Sequence, residues 1–184
     1  MTRSPIALAL LLAVLALTVA GCRQGEAAVS AGEREAELAV RSLLAAWESG
    51  NRELIADLFL PQATYDDFPN QVTYLGVEEI IGYVSAVHSW GDDVYMSVGR
   101  VHVSESGAVA EWVFSAVQNR PIGRHVSVAT GREVVLNGVT IIEMQDGRIL
   151  RAADYTDTAP MTLQLGGRIE LPGGTVLELD GLGN

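Results

Sequence analysis

Apolar positions recur with a helical period in the first half of the chain and a strand period in the second. Val40, Leu43, Leu44 and Trp47 fall at i, i+3, i+4 and i+7 and form one stripe. Ser30 stands where this helix needs a cap, with Glu33 placed for a capping box, and Gly50 ends it. Asn51 caps a shorter helix carrying Leu54, Ile55, Leu58 and Phe59, which Pro61 stops. Ala63 to Phe68 reads as extended. After Gly76, the residues Val77, Ile80, Ile81 and Val84 mark one face of a third helix, and Glu78 and Glu79 suit its N-terminal dipole.

From Asp93 the pattern turns to strands. Val94 to Ser104 and Ala108 to Gln118 are two of them, turning at Ser106-Gly107, and Asn119 to Ala129 reads as a loop or a long hairpin end. Thr130 to Asp157 reads as two strands joined at Asp146-Gly147, a strong short-range hairpin signal. Three short strand-like runs close the chain, Met161–Leu165, Arg168–Leu171 and Val176–Leu179, divided by Gly166-Gly167 and Pro172-Gly173-Gly174. The order predicts an α+β fold, with three N-terminal helices on a strongly curved antiparallel sheet and an extra C-terminal β tail.

The N-terminus adds a destination. A basic start at Arg3, an apolar run from Ile6 to Leu17 and small residues before Cys22 describe an export signal too short for a membrane span. Ending on Gly21-Cys22, it resembles a bacterial lipoprotein box, which implies cleavage before Cys22 and lipid on its thiol. Arg23 follows, where inner-membrane retention uses Asp. The expected location is therefore the cell envelope, on the periplasmic side of the outer membrane where the cell has two membranes. The expected organisation is a signal peptide over 1–21, a tether over 22–31, one domain over 32–158 and a β extension over 159–184.

Composition narrows the chemistry. Cys22 is the only cysteine, which leaves neither a disulfide nor a thiol nucleophile. All 12 basic residues are arginine, so Schiff-base chemistry and lysine-held pyridoxal phosphate are excluded. A net charge of −11 argues against nucleic acid. His88, His102 and His125 lie at no metal-ligand spacing, and no phosphate-binding or dinucleotide motif occurs in context, so neither a metal nor a cofactor is expected.

Trp47 with Gly50-Asn51, Leu58-Phe59, Ala63-Thr64-Tyr65-Asp66-Asp67, Gly76, Asp146-Gly147-Arg148-Ile149 and Asp154-Tyr155 keep the order and spacing of a known group. Over residues 34–158 the chain resembles SnoaL-like domains of the NTF2-like superfamily. The resemblance implies a bent antiparallel sheet wrapped round helices, with a pocket at the open end of the cone. Within the superfamily it is similar to the limonene-1,2-epoxide hydrolases. Tyr65 matches their tyrosine, Asp67 stands where they have asparagine, Pro69 keeps the next proline, and Asp154 matches the final-strand aspartate. Trp112 and Phe114 replace their Arg-x-Asp pair. The remaining residues resemble the simpler polyketide cyclases and ketosteroid isomerases, which need one carboxylate in an apolar pocket and a donor for a developing enolate.

Strand alternation puts Leu150 and Ala152 on the face of Asp154. Family register adds Leu136, Gly138 and Thr140 from one neighbouring strand and Trp112, Phe114 and Ala116 from the next. If Asp154 points into the cone, desolvation would raise its pKa toward the range of a general acid or base, and a nearby Asp67 would raise one of the two further. The alternative is a structural carboxylate at a strand end that only accepts hydrogen bonds from backbone or tyrosine. Tyr65 is either an oxyanion donor or a core aromatic. Asp67 is either a second carboxylate of the site or a turn former. Trp47, Phe59, Tyr83 and Trp90 are candidates for the core or the pocket lining. On the opposite face Val113, Val117, Val135, Val139 and Ile141 remain apolar, so the tail or a second subunit should cover it; a homodimer is expected. Three readings stay open: cofactor-free acid–base catalysis on a small hydrophobic molecule, non-catalytic binding of such a molecule, and an envelope interaction module.

Overall fold

The computed structural model describes residues 29–124 and 126–179. The signal peptide, Cys22 and His125 lie outside the described residues. Helix α1 spans Ala31–Ser49. Ser30 accepts from the Glu33 amide while the Glu33 side chain accepts from the Ser30 amide, completing the capping box. Gly50 ends the helix at φ 64°, a left-handed conformation that glycine adopts without a Cβ penalty. The buried stripe of α1 is Ala36, Ala39, Val40, Leu43, Leu44 and Ala46. Asn51 caps α2, Arg52–Leu58.

Strand β1 begins at Phe59 and runs to Asp67, so the second helix stops before Pro61 is reached and Phe59 is extended rather than helical. Phe59 pairs with Ile149 and is fully buried, so strand pairing sets the boundary ahead of the proline. Strand β2, Val72–Leu75, returns along β1. Helix α3, Gly76–Val84, buries Ile80, Ile81 and Val84, and a short 3₁₀ turn covers Ala86–Ser89. The long strands follow: β3 (Gly91–Ser104), β4 (Gly107–Gln118), β5 (Glu133–Gln145) and β6 (Arg148–Thr156). Their order across the six-stranded sheet is β2-β1-β6-β5-β4-β3, antiparallel except for the parallel β1–β6 pair.

The β5–β6 turn has Asp146 at φ 51° and Gly147 at φ 75°, the two positive angles of a type I′ hairpin. Curvature comes from bulges. Register slips between Asp92 and Tyr95 and between Val98 and Val101, each leaving an extra residue on β3. A further slip lies where Glu143 pairs with Arg151 but Met144 pairs with Ile149. That bulge breaks the alternation on β6: Ile149, not Leu150, joins Ala152 in the interior.

The tail departs from expectation in its first run. Residues 159–164 form a short helix, α4 (Ala159–Gln164), opened by Pro160, where a strand was expected over Met161–Leu165. Among the described residues of the tail, Ile169–Glu170 (β7) and Val176–Leu177 (β8) pair as a two-stranded ribbon. Helix α4 packs at β5, where β6 has already ended. There Gln164 accepts from the Val135 amide at 2.8 Å and donates to the Val135 carbonyl at 2.9 Å, taking the place of the missing strand. Of the opposite sheet face, Val113 and Val135 remain exposed and Val117, Val139 and Ile141 are half-buried.

Candidate functional site

Helix α1, helix α3 and the inner face of the sheet close round a cavity of about 210 Å³. All three tryptophans of the chain, Trp47, Trp90 and Trp112, line it together with Tyr83 and Phe114. Leu44, Met96 and Leu136 add aliphatic wall, and Thr158 and Met161 contribute lining from the tail. Among the lining residues the only ionisable carboxyls are Asp67 and Asp154, and none is arginine, lysine or histidine.

Asp154 is 3% exposed, placed inward by its register opposite Thr140 on β5 and Asp67 on β1. Three hydroxyls hold its carboxylate. Thr140 donates to Oδ1 at 2.6 Å, and Tyr65 and Tyr83 donate to Oδ2 at 2.9 and 3.4 Å. Two of these donors are themselves held by indoles. Trp112 donates to Thr140 Oγ1 at 2.8 Å, and Trp47 donates to the Tyr65 hydroxyl at 3.2 Å. The third, Tyr83, is held by its ring: it stacks on Tyr74 with centroids 4.3 Å apart and meets Trp47 and Tyr65 edge-on at 5.0 Å.

These contacts compete in setting the charge of Asp154. Burial pushes the carboxyl up; the hydrogen bonds from Thr140 and Tyr65 pull it down; the Asp67 carboxylate pushes it up again; and Tyr83 pulls it slightly down. Burial wins, and the group rests at about 6. Tyr65 and Tyr83 move upward as well, by burial first and then by the Asp154 charge, so both are proton donors throughout the working range. Asp67 is 4% exposed, and Asn70 turns back to it, its amide at 3.3 Å from Oδ1 and its side-chain nitrogen at 2.7 Å from Oδ2.

The expected site residues separate into three groups. Asp154, Asp67, Trp47, Tyr83, Trp112, Phe114 and Leu136 meet at the cavity. Tyr65 is fully buried and does not line the cavity; it touches the site through its hydroxyl, which donates to Asp154 Oδ2. Phe59 and Gly138 do not line the cavity. Phe59 sits in the core, 6.0 Å from the Tyr65 ring. Gly138 lies under Trp112, where an added Cβ would come within 2.3 Å of the indole. The missing side chain lets the indole cross β5 and reach Thr140. Asn70 and Met161 went unnoticed in the sequence. Asp67-x-x-Asn70 after a strand is a turn pattern that could have flagged the first; nothing local marks the second.

Among the described residues no group of His, Cys, Asp and Glu could hold a metal ion. His102 is exposed on β3, and His88 contacts the Trp47 carbonyl at 3.0 Å.

Residues 40–152 match the family model of the SnoaL-like domain. No curated protein matches the chain. Among solved structures it is similar to TsrD from Streptomyces laurentii, at 23% identity over 72% of this chain and 96% of that one, with a TM-score of 0.63. It is also similar to a proposed SnoaL-like polyketide cyclase from Jannaschia sp. CCS1, at 18% identity over 74% of this chain and 94% of that one, with a TM-score of 0.66. An LEH-like epoxide hydrolase from M. tuberculosis matches at 16% identity over 72% of this chain and 90% of its own, with a TM-score of 0.58. At these identities the likeness establishes the shared fold.

Proposed function

The chain belongs to the SnoaL-like domain family, and from that premise we propose that it performs cofactor-free proton transfer on a small, mostly apolar molecule, with Asp154 as the proton carrier. The supporting observation is a nearly water-free carboxyl at the base of an aromatic cavity, pushed up to about 6. At neutral pH such a group is mostly ionised yet close enough to its midpoint to take a proton and return it, the balance a general base needs. Tyr83 lies against both the cavity and Asp154; its hydroxyl, which donates to Asp154 Oδ2 over a long 3.4 Å, would turn from that carboxylate to donate to the oxygen on which enolate charge develops. Tyr65 and Thr140 fix the carboxylate, and Asp67 keeps its proton affinity high.

The test is exchange of α-protons for deuterium in a panel of small ketones, followed by NMR. The native chain is expected to accelerate exchange with a rise through about pH 6, and Asp154→Asn to lose about a hundredfold or more of that rate. Unchanged exchange in the variant removes the reading. A second reading, binding without chemistry, draws on Trp112 and Phe114. They give the middle strand no cation or acid to activate an epoxide or water. Ligand capture by the native chain with no exchange in any ketone selects it.

Export and attachment through lipid on Cys22, on the periplasmic side of the outer membrane in a two-membrane cell, complete the proposal, together with a homodimer through the outer sheet face. Metabolic labelling with a fatty acid, lost in Cys22→Ala, tests the anchor. Light scattering tests the dimer, which a monomer at all concentrations eliminates.

A further inference from the structure

We infer that the molecule this cavity accepts carries a methylated ammonium group. The inference rests on reading the cavity as a ligand site and names the class of ligand. Its walls hold five aromatic side chains, Trp47, Tyr83, Trp90, Trp112 and Phe114, whose π faces attract cations. The cavity also holds two buried carboxyls, Asp67 and Asp154, with no basic residue among its lining. The nearest arginine on the same strand, Arg151, is spent outside, on Asp66 at 2.6 Å and Glu143 at 3.0 Å. Among the described residues the lining thus places two carboxyls in low dielectric with no basic side chain beside them, and a ligand cation supplies what is missing.

The mostly apolar lining favours one class of cation. Asp154 already accepts from Thr140, Tyr65 and Tyr83, and Asp67 already accepts twice from Asn70. A primary ammonium brings three N–H donors that would have to converge on the few acceptor sites which the two carboxylates, Asn70 and the threonines leave open, since the rest of the lining is apolar. Stranding such donors in an apolar cavity is costly. A trimethylammonium head has no N–H to satisfy, presents an apolar shell to the rings, and still feels the carboxylates through space. Size agrees: 210 Å³ is far above the ~10–15 Å³ that a single water needs on the same measure, enough for a head group with a short tail.

Three probes of similar length separate the causes: choline, its neutral carbon isostere 3,3-dimethylbutan-1-ol, and the primary amine ethanolamine. Titration of the full native chain, read by calorimetry and by the fluorescence of the three lining tryptophans, is expected to show saturable binding of choline. Binding of each other probe is expected to be at least about tenfold weaker, as for a desolvated cation over aromatic rings. Asp67→Asn, which leaves the proposed proton carrier in place, is expected to narrow the margin over the isostere. Equal or tighter binding of the isostere overturns the inference, as does choline failing to bind. Because these measurements need no turnover and no titration of Asp154, their failure leaves the proton-transfer reading standing. Conversely, absent proton exchange leaves the choline result intact.

Discussion

Replacing Asp154 by asparagine keeps the shape of the side chain and removes its charge, so its effect on stability should depend on pH in a way that reports the buried carboxyl. The group moves from its ordinary 3.8 to about 6 in the folded chain. Because the folded state holds the proton more tightly than the unfolded chain, folding is favoured while the proton stays on. Stability contributed by Asp154 is fully present below about 3.8, falls as pH rises toward about 6, and is level above that. At about 1.4 kcal/mol per pH unit, the distance between those two values amounts to about 3 kcal/mol.

The assay is urea denaturation of the native chain and Asp154→Asn in parallel between about pH 3 and about pH 8. The absolute offset between the two also reflects how the introduced amide reorganises the hydroxyls of Thr140, Tyr65 and Tyr83, but that offset varies little with pH. The change in the difference is therefore the informative quantity. The native chain should lose about 3 kcal/mol relative to the variant across the range, with most of the loss below about pH 6. A flat difference, or a native chain that gains on the variant as pH rises, would mean that the three hydroxyl donors outweigh desolvation. In that case Asp154 would be a structural acceptor rather than a proton carrier.

The surrounding contacts make further predictions. Thr140→Val removes a donor to Asp154 and leaves the Trp112 N–H without its acceptor; it should cost about 1–3 kcal/mol of stability and raise the Asp154 carboxyl further, read by carbon NMR of the side chain. Asp67→Asn removes the neighbouring charge and should lower the same carboxyl without moving it below its ordinary range, since burial remains the leading cause. Gly138→Ala drives a methyl into the Trp112 ring, so a loss of about 1–3 kcal/mol should accompany a red-shifted tryptophan emission. Gln164→Ala frees the Val135 N–H and carbonyl; amide hydrogen exchange at Val135 should quicken by an order of magnitude or so, with about 1 kcal/mol or less lost overall.

Much of the scaffold was legible because its signals are local. Ser30 with Glu33, Gly50, Asn51 and Asp146-Gly147 each satisfy backbone groups or set φ within a few residues, and each does so in the fold as it reads in the sequence. Inward placement of Asp154, Ala152, Thr140 and Leu136 was also readable, since side-chain alternation carries register along a strand. Leu150 and Phe59 were misplaced because a bulge and a pairing to a distant strand, neither visible locally, overrode period and breaker signals. Helix α4 is only six residues long, and its Leu and Met content suits either state; contact with β5 decides it. The role of Tyr65 turned on a donor–acceptor choice that depends on where Asp154 ends, which no spacing encodes.

The middle strand explains why this cavity differs in kind from one built round an Arg-x-Asp pair. An arginine at position 112 would neutralise Asp154 directly, lowering its proton affinity and occupying the cavity with a guanidinium. Trp112 instead turns its one polar atom away from the carboxylate and onto Thr140, over the gap left by Gly138, so a neutral hydroxyl reaches Asp154 in place of a cation. The charge of Asp154 therefore stays uncompensated among rings, and the folded chain carries the resulting cost of about 3 kcal/mol at neutral pH. An isosteric asparagine would avoid that cost but would keep only one acceptor oxygen for the three surrounding hydroxyls. A carboxylate that sits under a cavity and is positioned by three hydroxyls, two of them held in turn by indoles, combines an acceptor role on both of its oxygens with abilities that asparagine lacks. Its distinguishing abilities are to exchange a proton near neutrality and to attract a cation, and both proposals follow from those two abilities.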